Sequence, residues 1–497
     1  MKLKFLLFFF LLATEFTLCA QSISESLYNY LSSASADNGM NGNLLFTSNG
    51  EINFKKSFGY ASFENKTLNT DSTLFSLASI SKTFTSVAVL QLKEKGKLKL
   101  DDPFIKYFPD FPFQGITIRQ LLSHTSGLPD MEAVLDSLVN KTPEKIFTNA
   151  DVLPALKIYA AHHSLLFQPG ERWQYSNIGF QLLAILVEKI SKESFALYAS
   201  KHIFQPAGMT NSYVQTNLSQ TQDSNRTVNY QYNNHFEMRL QKMDTLKDWK
   251  EWTYNLTGLY GSSNVVSSSI DLLNYDKALY NGTLLKQASL DEAFTPAKLN
   301  NGENNKAVAG TSCGLGWFIL TDTSNGKIVW HSGSNPGVTT LFVRNITKNQ
   351  TYIILQNVTC PQTVYFGTLD IINGKLLTYK KSLAFLYGQD LNQKGANYAL
   401  ANLVTLQVDS LQYALAETEM DRIGLEFSRT KFQEYSLEAY KLNTLLFPNS
   451  WKAYANYAVA LSNKMENREA AILMFQKSLL LNSANVDLKK RLENLLK

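Results

Sequence analysis

The stretch from Phe75 to Gly96 constrains this chain most. Residues 85–96 are apolar nearly all round, a pattern that suits a helix buried on every side rather than one lying on a surface. Gly96 is placed to stop it. Ser79 and Lys82 stand at its start. Three residues apart on a helix, they share one face, one turn apart. A helix N-terminus adds unpaired N–H groups and a positive dipole end. Burial depresses a lysine pKa. A neutral amine there could take the proton of the serine hydroxyl, and the serine N–H could face a developing oxyanion. The plainer reading is a capping serine and a solvated lysine.

The Ser-x-x-Lys pattern occurs at Ser79, Ser324 and Ser428. Ser324 lies on an Asn325-Gly326 turn and Ser428 in a polar helical region, so only Ser79 opens a long apolar helix. The chain has 497 residues, room for one large and one small domain. Its net charge of +5 carries no basic cluster, so nucleic-acid binding has no support.

Lys2 and Lys4 before the apolar run 5–13 read as a signal peptide cleaved after Ala20. The run is too short for a membrane anchor and is followed by Glu15. Leu18 is bulky where a lipidation site at Cys19 would carry a small residue. Export to the periplasm or outside is therefore expected, without lipid anchoring at Cys19 or stable membrane insertion. Cys313 and Cys360 could pair in an exported protein, but two buried free thiols are favoured.

Residues 44–47 and 51–57 flank Asn49-Gly50, a hairpin signal. Residues 97–310 read as mostly helices and loops, among them a second apolar helix at 179–190 and a Gly/Ser-rich loop at 258–269 before a helix at 271–279. Strands return at 314–321, 327–331, 338–345 and 352–357, followed by a helix at 363–379. Strands, a helical middle and strands again predict an α+β fold, an α/β sandwich. One antiparallel sheet, built from both ends of the segment, is flanked by helices and carries an inserted helical lobe. The composition shifts near Gly388, and 390–397 reads as a linker. Tyr440, Leu446 and Pro448 recur 35 positions on as Phe475, Leu481 and Ser483. That spacing, with helices at 456–461 and 469–481, fits tetratricopeptide units. The expected division is a signal peptide at 1–20, a main domain at 21–385, a linker and connecting helix at 386–415, and a tetratricopeptide-like helical domain at 416–497.

Two further segments carry chemistry. Tyr175-Ser176-Asn177 lies between a Pro-Gly turn and a buried helix. A tyrosine near a lysine can act as a phenolate base and then as an acid, and Asn177 can both donate and accept. His331-Ser332-Gly333-Ser334 closes a strand. Ser332 offers a hydroxyl, Gly333 allows close approach to the backbone, and the Ser334 N–H could be a second oxyanion donor. His331 alone would read as a structural histidine.

In this order and topology, these segments resemble the serine β-lactamase and penicillin-binding protein superfamily over roughly residues 25–380. The resemblance is greatest to its class C β-lactamase-like branch, which also holds D-alanyl-D-alanine carboxypeptidases, D-aminopeptidases and carboxylesterases. Ser79-Ile80-Ser81-Lys82 matches the S-x-x-K element, and Tyr175-Ser176-Asn177 stands where class C relatives carry Tyr-x-Asn. His331-Ser332-Gly333 replaces K-T-G. Residues 124–128 and 261–271 also look like segments common in that family, with His124 structural. The resemblance implies Ser79 as nucleophile and Lys82 and Tyr175 as acid–base groups. It implies Asn177, His331, Ser332, Gly333 and Ser334 as substrate contacts, the N–H groups of Ser79 and Ser334 forming the oxyanion hole. It implies acyl transfer through an acyl-enzyme on an ester, D-amino-acid peptide or β-lactam, with no cofactor and no metal. The His162-His163 pair lacks a third metal-spaced ligand. The expected partners are a small-molecule or peptide substrate, with the helical tail available to a protein. A non-catalytic sensor or scaffold is the alternative. A histidine in place of lysine loses its charge through neutral pH, so substrates bearing a carboxylate are expected to be favoured below about pH 6.5.

Overall fold

The computed structural model describes residues 23–216, 223–247, 250–322, 324–359, 362–463 and 465–496. The signal-peptide reading, Cys19 and Cys360 lie outside them. The chain divides into two compact units. One holds the residues up to Gln231 with Gln241–Lys375, the other Tyr232–Leu240 with the residues from Leu376 on.

Besides a short hairpin of Tyr60–Ser62 and Thr67–Leu68, the strands of the first unit are β1 (Gly42–Ser48), β2 (Glu51–Phe58), β3 (Phe75–Ser76), β4 (Tyr213–Val214), β5 (Tyr230–Tyr232), β6 (Leu240–Lys242), β7 (Val265–Ser267), β8 (Ser312–Cys313), β9 (Phe318–Asp322), β10 (Gly326–Asn335), β11 (Val338–Asn345) and β12 (Gln350–Gln356). The division between the units falls within β5 and β6, whose residues Tyr232 and Leu240 belong to the second. Seven of these strands form one antiparallel sheet in the order β8-β9-β10-β11-β12-β1-β2, so both ends of the segment meet at β12 against β1. Asn49 and Gly50 both have positive φ, the backbone a two-residue hairpin turn requires.

Three strand bounds depart from the sequence reading. Residues 314–317 form a turn, and β9 begins only at Phe318. A side chain at Gly314 would strike the Ala293 carbonyl, and one at Gly316 would meet Ser86 and Phe180. β10, read as 327–331, runs from Gly326 to Asn335, so the His-Ser-Gly-Ser segment that closes it lies wholly within the strand. β12 covers Gln350–Gln356 rather than 352–357.

The helix α1 (Ser81–Glu94) is buried on nearly every side from Ser81 to Leu92. It packs in a core with Leu45, Val329, Phe342, Ile353 and Leu355 of the sheet and Phe180, Leu183 and Val187 of the lobe. Two lobe helices position the site, α2 (Met131–Lys141) and α3 (Asn177–Ser191). The segment before β1 forms a helix at 23–36 that sequence reasoning did not propose. It lies against α4 (Gln362–Ile372), where a side chain at Gly367 would strike the Tyr30 ring. That helix stops at Ile372, short of the expected 379, because Gly374 turns the chain with a φ of 90°.

The second unit is helical, with α5 (Leu383–Lys394), α6 (Ala396–Leu406), α7 (Glu417–Ser428), α8 (Gln433–Leu446), α9 (Trp451–Ser462), α10 (Arg468–Leu481) and α11 (Val486–Leu496). The stretch 390–397, read as a linker, is the end of α5 and the start of α6, broken by Gly395 alone. Its polar residues cap and brace that junction: Asp390 accepts from Lys394 and Asn402. Gly388 lies inside α5, close against Ile423 of α7. No helix of the described residues is long and apolar enough to cross a membrane.

Candidate active site

Ser79 lies in a tight 3-10 turn, Ala78–Ile80, that leads directly into α1. Neither this turn nor α1 takes a side-chain cap. The Ser79 hydroxyl is therefore not holding the helix end, which removes the capping reading. Ala78 has a φ of 47°, left-handed backbone that costs a non-glycine residue of order 1–3 kcal/mol. Packing fixes this turn from two sides. The Leu77 N–H donates to the Val265 carbonyl at 2.9 Å, and the Val265 N–H to Ser81 Oγ at 2.9 Å. On the other side, Thr340 Oγ1 donates to the Leu77 carbonyl at 2.9 Å.

Lys82 is fully buried. Its Nζ has three oxygen neighbours: Asn177 Oδ1 at 2.7 Å, the Ser262 carbonyl at 2.8 Å and Ser79 Oγ at 3.2 Å. Asp130 sets the orientation of the Asn177 amide. Its carboxylate only accepts, taking Asn177 N–H at 2.7 Å and Nδ2–H at 3.1 Å, so Oδ1 must face the lysine. The same carboxylate caps α2 through the Met131 N–H. Two neighbours of Nζ are thus acceptors only, and the third is a hydroxyl. An ammonium can donate to all three oxygens, and a neutral amine can donate to two and accept from the Ser79 hydroxyl, so the same set serves both protonation states. Burial pushes Lys82 down to about 7, with Asp130 and Glu132 opposing more weakly.

The Tyr175 ring lies 4.7 Å from Nζ and stacks on His124 at 4.4 Å. Burial raises its hydroxyl pKa, and a hydrogen bond with Ser79 only partly offsets this. The phenolate expected from sequence is therefore not the resting form: Tyr175 keeps its proton and can supply it. His124 takes the Ser176 N–H on Nδ1 at 3.1 Å, a structural role.

His331 is buried beside Phe318, and its Nδ1 lies 2.6 Å from the Ser332 carbonyl oxygen. Burial first, then the nearby Lys82 charge, push it down to about 3. It stays uncharged at neutral pH, so the expected loss of carboxylate preference through pH 6.5 does not follow. Along β10, His331 and Gly333 are buried while Ser332 and Ser334 are exposed. β10 continues beyond Trp330, the residue opposite Phe318 of β9. Among the described residues, no strand covers its outer edge from His331 to Asn335. That edge, and Ser79 in the first turn of a helix, can offer N–H groups to one oxygen.

Gly333 is required by contact. A β-carbon there would collide with the Leu77 carbonyl and Thr340 Oγ1, and would meet Ala78 at 3.0 Å. Gly333→Ala should push the Ser79 turn off β10 and lower kcat/KM by about two decades. Steady-state kinetics beside a melting curve would check this, and an unchanged rate would show that the turn tolerates the shift.

Sequence reasoning named Ser79, Lys82, Tyr175, Asn177 and His331, and the structure brings them together. It missed Asp130 and Ser262. Asp130 carried one signal, a capping residue before an apolar helix. Ser262 lies in the Gly/Ser-rich loop and the family-like segment 261–271, but its contact is made by a backbone carbonyl, so its residue type gives no sign of that role. Its neighbour Gly261 has a φ of 95° and lies against the Phe180 carbonyl. Elsewhere, Cys313 is a buried free thiol raised to about 12 by burial.

A cavity of about 870 Å³ in the first unit has Ser76, Asn264, Asn335 and Pro336 among its walls, and none of Ser79, Lys82, Tyr175, Asn177 or His331 lines it. Arg226, Lys242, Lys247 and Lys250 outnumber Asp223 and Asp244 on its walls.

The family model described as Beta-lactamase matches residues 34–364. Penicillin-binding protein 4* of Bacillus subtilis (strain 168) is 39% identical over 319 residues, 64% of this chain and 68% of that protein. A penicillin binding protein from Bacillus halodurans has a similar structure, with a TM-score of 0.59 and 25% identity over 69% of this chain and 99% of that one. D-amino acid amidase from Ochrobactrum anthropi SV3 shares the fold at a TM-score of 0.56 and 22% identity, over 71% of this chain and 98% of that one.

Proposed function

The chain belongs to the Beta-lactamase family, in the superfamily of serine β-lactamases and penicillin-binding proteins, and from that premise we propose that it opens amide or ester bonds through an acyl-enzyme on Ser79. The supporting observation is the buried Lys82 amine, shared among Asn177 Oδ1, the Ser262 carbonyl and Ser79 Oγ.

In this reading Ser79 gives its proton to Lys82 Nζ as Oγ adds to the acyl carbon. The oxyanion lies between the N–H groups of Ser79 and Ser334. Its collapse breaks the bond to the leaving group, which takes a proton from Tyr175, itself resupplied by the Lys82 ammonium. Water then adds to the acyl-enzyme, Lys82 accepts its proton, and Ser79 leaves protonated. Asn177 holds the lysine, and the edge of Ser332, Gly333 and Ser334 receives the acyl group.

The finer assignment is a class C-type enzyme of an exported protein, favouring neutral esters and D-amino acid amides over penicillins. An uncharged His331 supports the preference, because a charged lysine at that place would hold a carboxylate. The helical tail, read as tetratricopeptide-like, is proposed to meet a protein partner. A substrate panel tests the assignment: a small neutral ester, a D-amino acid amide, a D-alanyl peptide and a chromogenic cephalosporin. The first two should give the higher kcat/KM. Preferred turnover of the cephalosporin would overturn the substrate choice, and no turnover or acylation by any would overturn the hydrolase reading.

A further inference from the structure

His124 grips three consecutive residues around Tyr175. Its carbonyl accepts the Gln174 N–H at 2.9 Å. Its ring lies on the Tyr175 ring, with centroids 4.4 Å apart and planes 24° from parallel. Its Nδ1 accepts the Ser176 N–H at 3.1 Å. One residue thus holds the backbone before the tyrosine, the phenol ring itself and the backbone after it. The same segment continues the grip onto α3: the Pro129 carbonyl accepts from Ser176 Oγ at 3.0 Å, and Asp130 accepts the Asn177 N–H at 2.7 Å.

The residue type follows from that geometry. His124 has a φ of 57°, left-handed backbone in which histidine, asparagine and aspartate are enriched among non-glycine residues. An acceptor for the Ser176 N–H and a flat ring for Tyr175 narrow that set to histidine. Accepting on Nδ1 requires a neutral imidazole with its proton on Nε2. Burial, more than the nearby Lys82 charge, keeps it neutral by pushing its pKa well below the ordinary value. Nε2 is buried with no hydrogen-bond partner among the described residues, so no bond anchors the ring from that side. Phe180 of α3 and Trp173 hem it in instead, with ring centroids 5.0 and 6.1 Å away. A strained backbone persists only where its surroundings over-determine it, and such residues cluster at active sites.

We propose that His124 is the positioning residue of the acid step: its grip fixes where the Tyr175 hydroxyl points, and so sets how fast leaving groups that need a proton depart. A proton must be delivered within hydrogen-bond reach of the departing atom. A stable anion such as p-nitrophenolate departs without one, whereas an alkoxide departs only as the alcohol. His124 acts through Tyr175 alone, so its effect should fall on the second kind of substrate.

The inference rests on the reading of Ser79 as nucleophile and Tyr175 as acid. The experiment measures kcat/KM of the full-length wild type, His124→Ala, His124→Asn and Tyr175→Phe on p-nitrophenyl butyrate and ethyl butyrate. The two esters share an acyl group and differ in the leaving group. His124→Ala should lower kcat/KM for the ethyl ester by about two decades, the effect of a displacement of about 1 Å, and for the nitrophenyl ester by at most about threefold. Asparagine tolerates the left-handed backbone and can accept the Ser176 N–H, but it has no ring. His124→Asn should therefore lose only about tenfold on the ethyl ester, and it keeps the test available if His124→Ala does not fold. Tyr175→Phe should show the same selectivity as His124→Ala. Equal losses on both esters in a folded His124 variant, or no loss on the ethyl ester, would overturn the proposal where Tyr175→Phe is selective. A Tyr175→Phe enzyme without that selectivity would overturn the acid role of Tyr175, and the proposal with it. Failure of the wild type to turn over p-nitrophenyl butyrate would overturn the hydrolase reading itself.

Discussion

Replacing Ser79 by alanine should leave a folded protein that neither hydrolyses an acyl substrate nor takes a covalent label from a fluorophosphonate. The expected fall in kcat is about six decades, the size seen when the nucleophile of a concerted set is removed. Little stability should be lost, because neither the turn at Ser79 nor α1 uses a side-chain cap, and a capping serine would have cost about 1 kcal/mol. Its contacts are with the two proposed proton carriers, Lys82 at 3.2 Å and Tyr175. Intact-mass spectrometry after labelling, beside a circular dichroism melt, separates loss of chemistry from loss of fold. A labelled alanine variant would place the nucleophile elsewhere in the chain.

What could be read from the sequence follows the range of the interactions involved. The Asn49-Gly50 hairpin and the four returning strands are written in local backbone preference and alternation, so they were legible. Ser79 and Lys82 were legible because a helix converts their spacing into a shared face. Tyr175 and His331 became meaningful only through their order in a recognised family pattern. The remainder is tertiary. Burial sets the charge state of His331, and the burying residues, among them Phe318, come from a neighbouring strand. Asp130 reaches Asn177 across 47 residues of chain. Phe236 sits in a polar segment, Asn233-Asn234-His235-Phe236-Glu237, and nothing local connects it to Phe427. The linker at 390–397 failed for a related reason, since polar residues that brace a helix junction look like loop residues in composition.

Lys82 offers the second large effect, and its sign can be worked through for both rate and stability. The base form of the amine is needed to accept the Ser79 proton, so kcat/KM should rise with pH through about 7, the value to which burial pushes Lys82. His331, held down to about 3, should add no second step in that range. Lys82→Met should lower the rate by about two to four decades and abolish the rising limb. For stability, the unfolded chain has an ordinary lysine and keeps its proton up to about pH 10.4. Between about 7 and that value the unfolded state binds more protons than the folded one, so folding gains stability as pH rises. Below about 7 the buried charge is carried in full, and its cost no longer changes with pH. The methionine variant has no such slope. The difference in unfolding free energy, wild type minus variant, should therefore move by about 2–3 kcal/mol in favour of wild type between pH 7 and pH 9. That change is independent of what the variant loses by leaving Asn177 Oδ1 and the Ser262 carbonyl without a donor, because neither oxygen titrates there. Urea melts of both proteins at the two pH values would read it. Parallel pH dependences would mean that Lys82 stays charged in the folded protein, and the base in the acyl transfer would have to be another group.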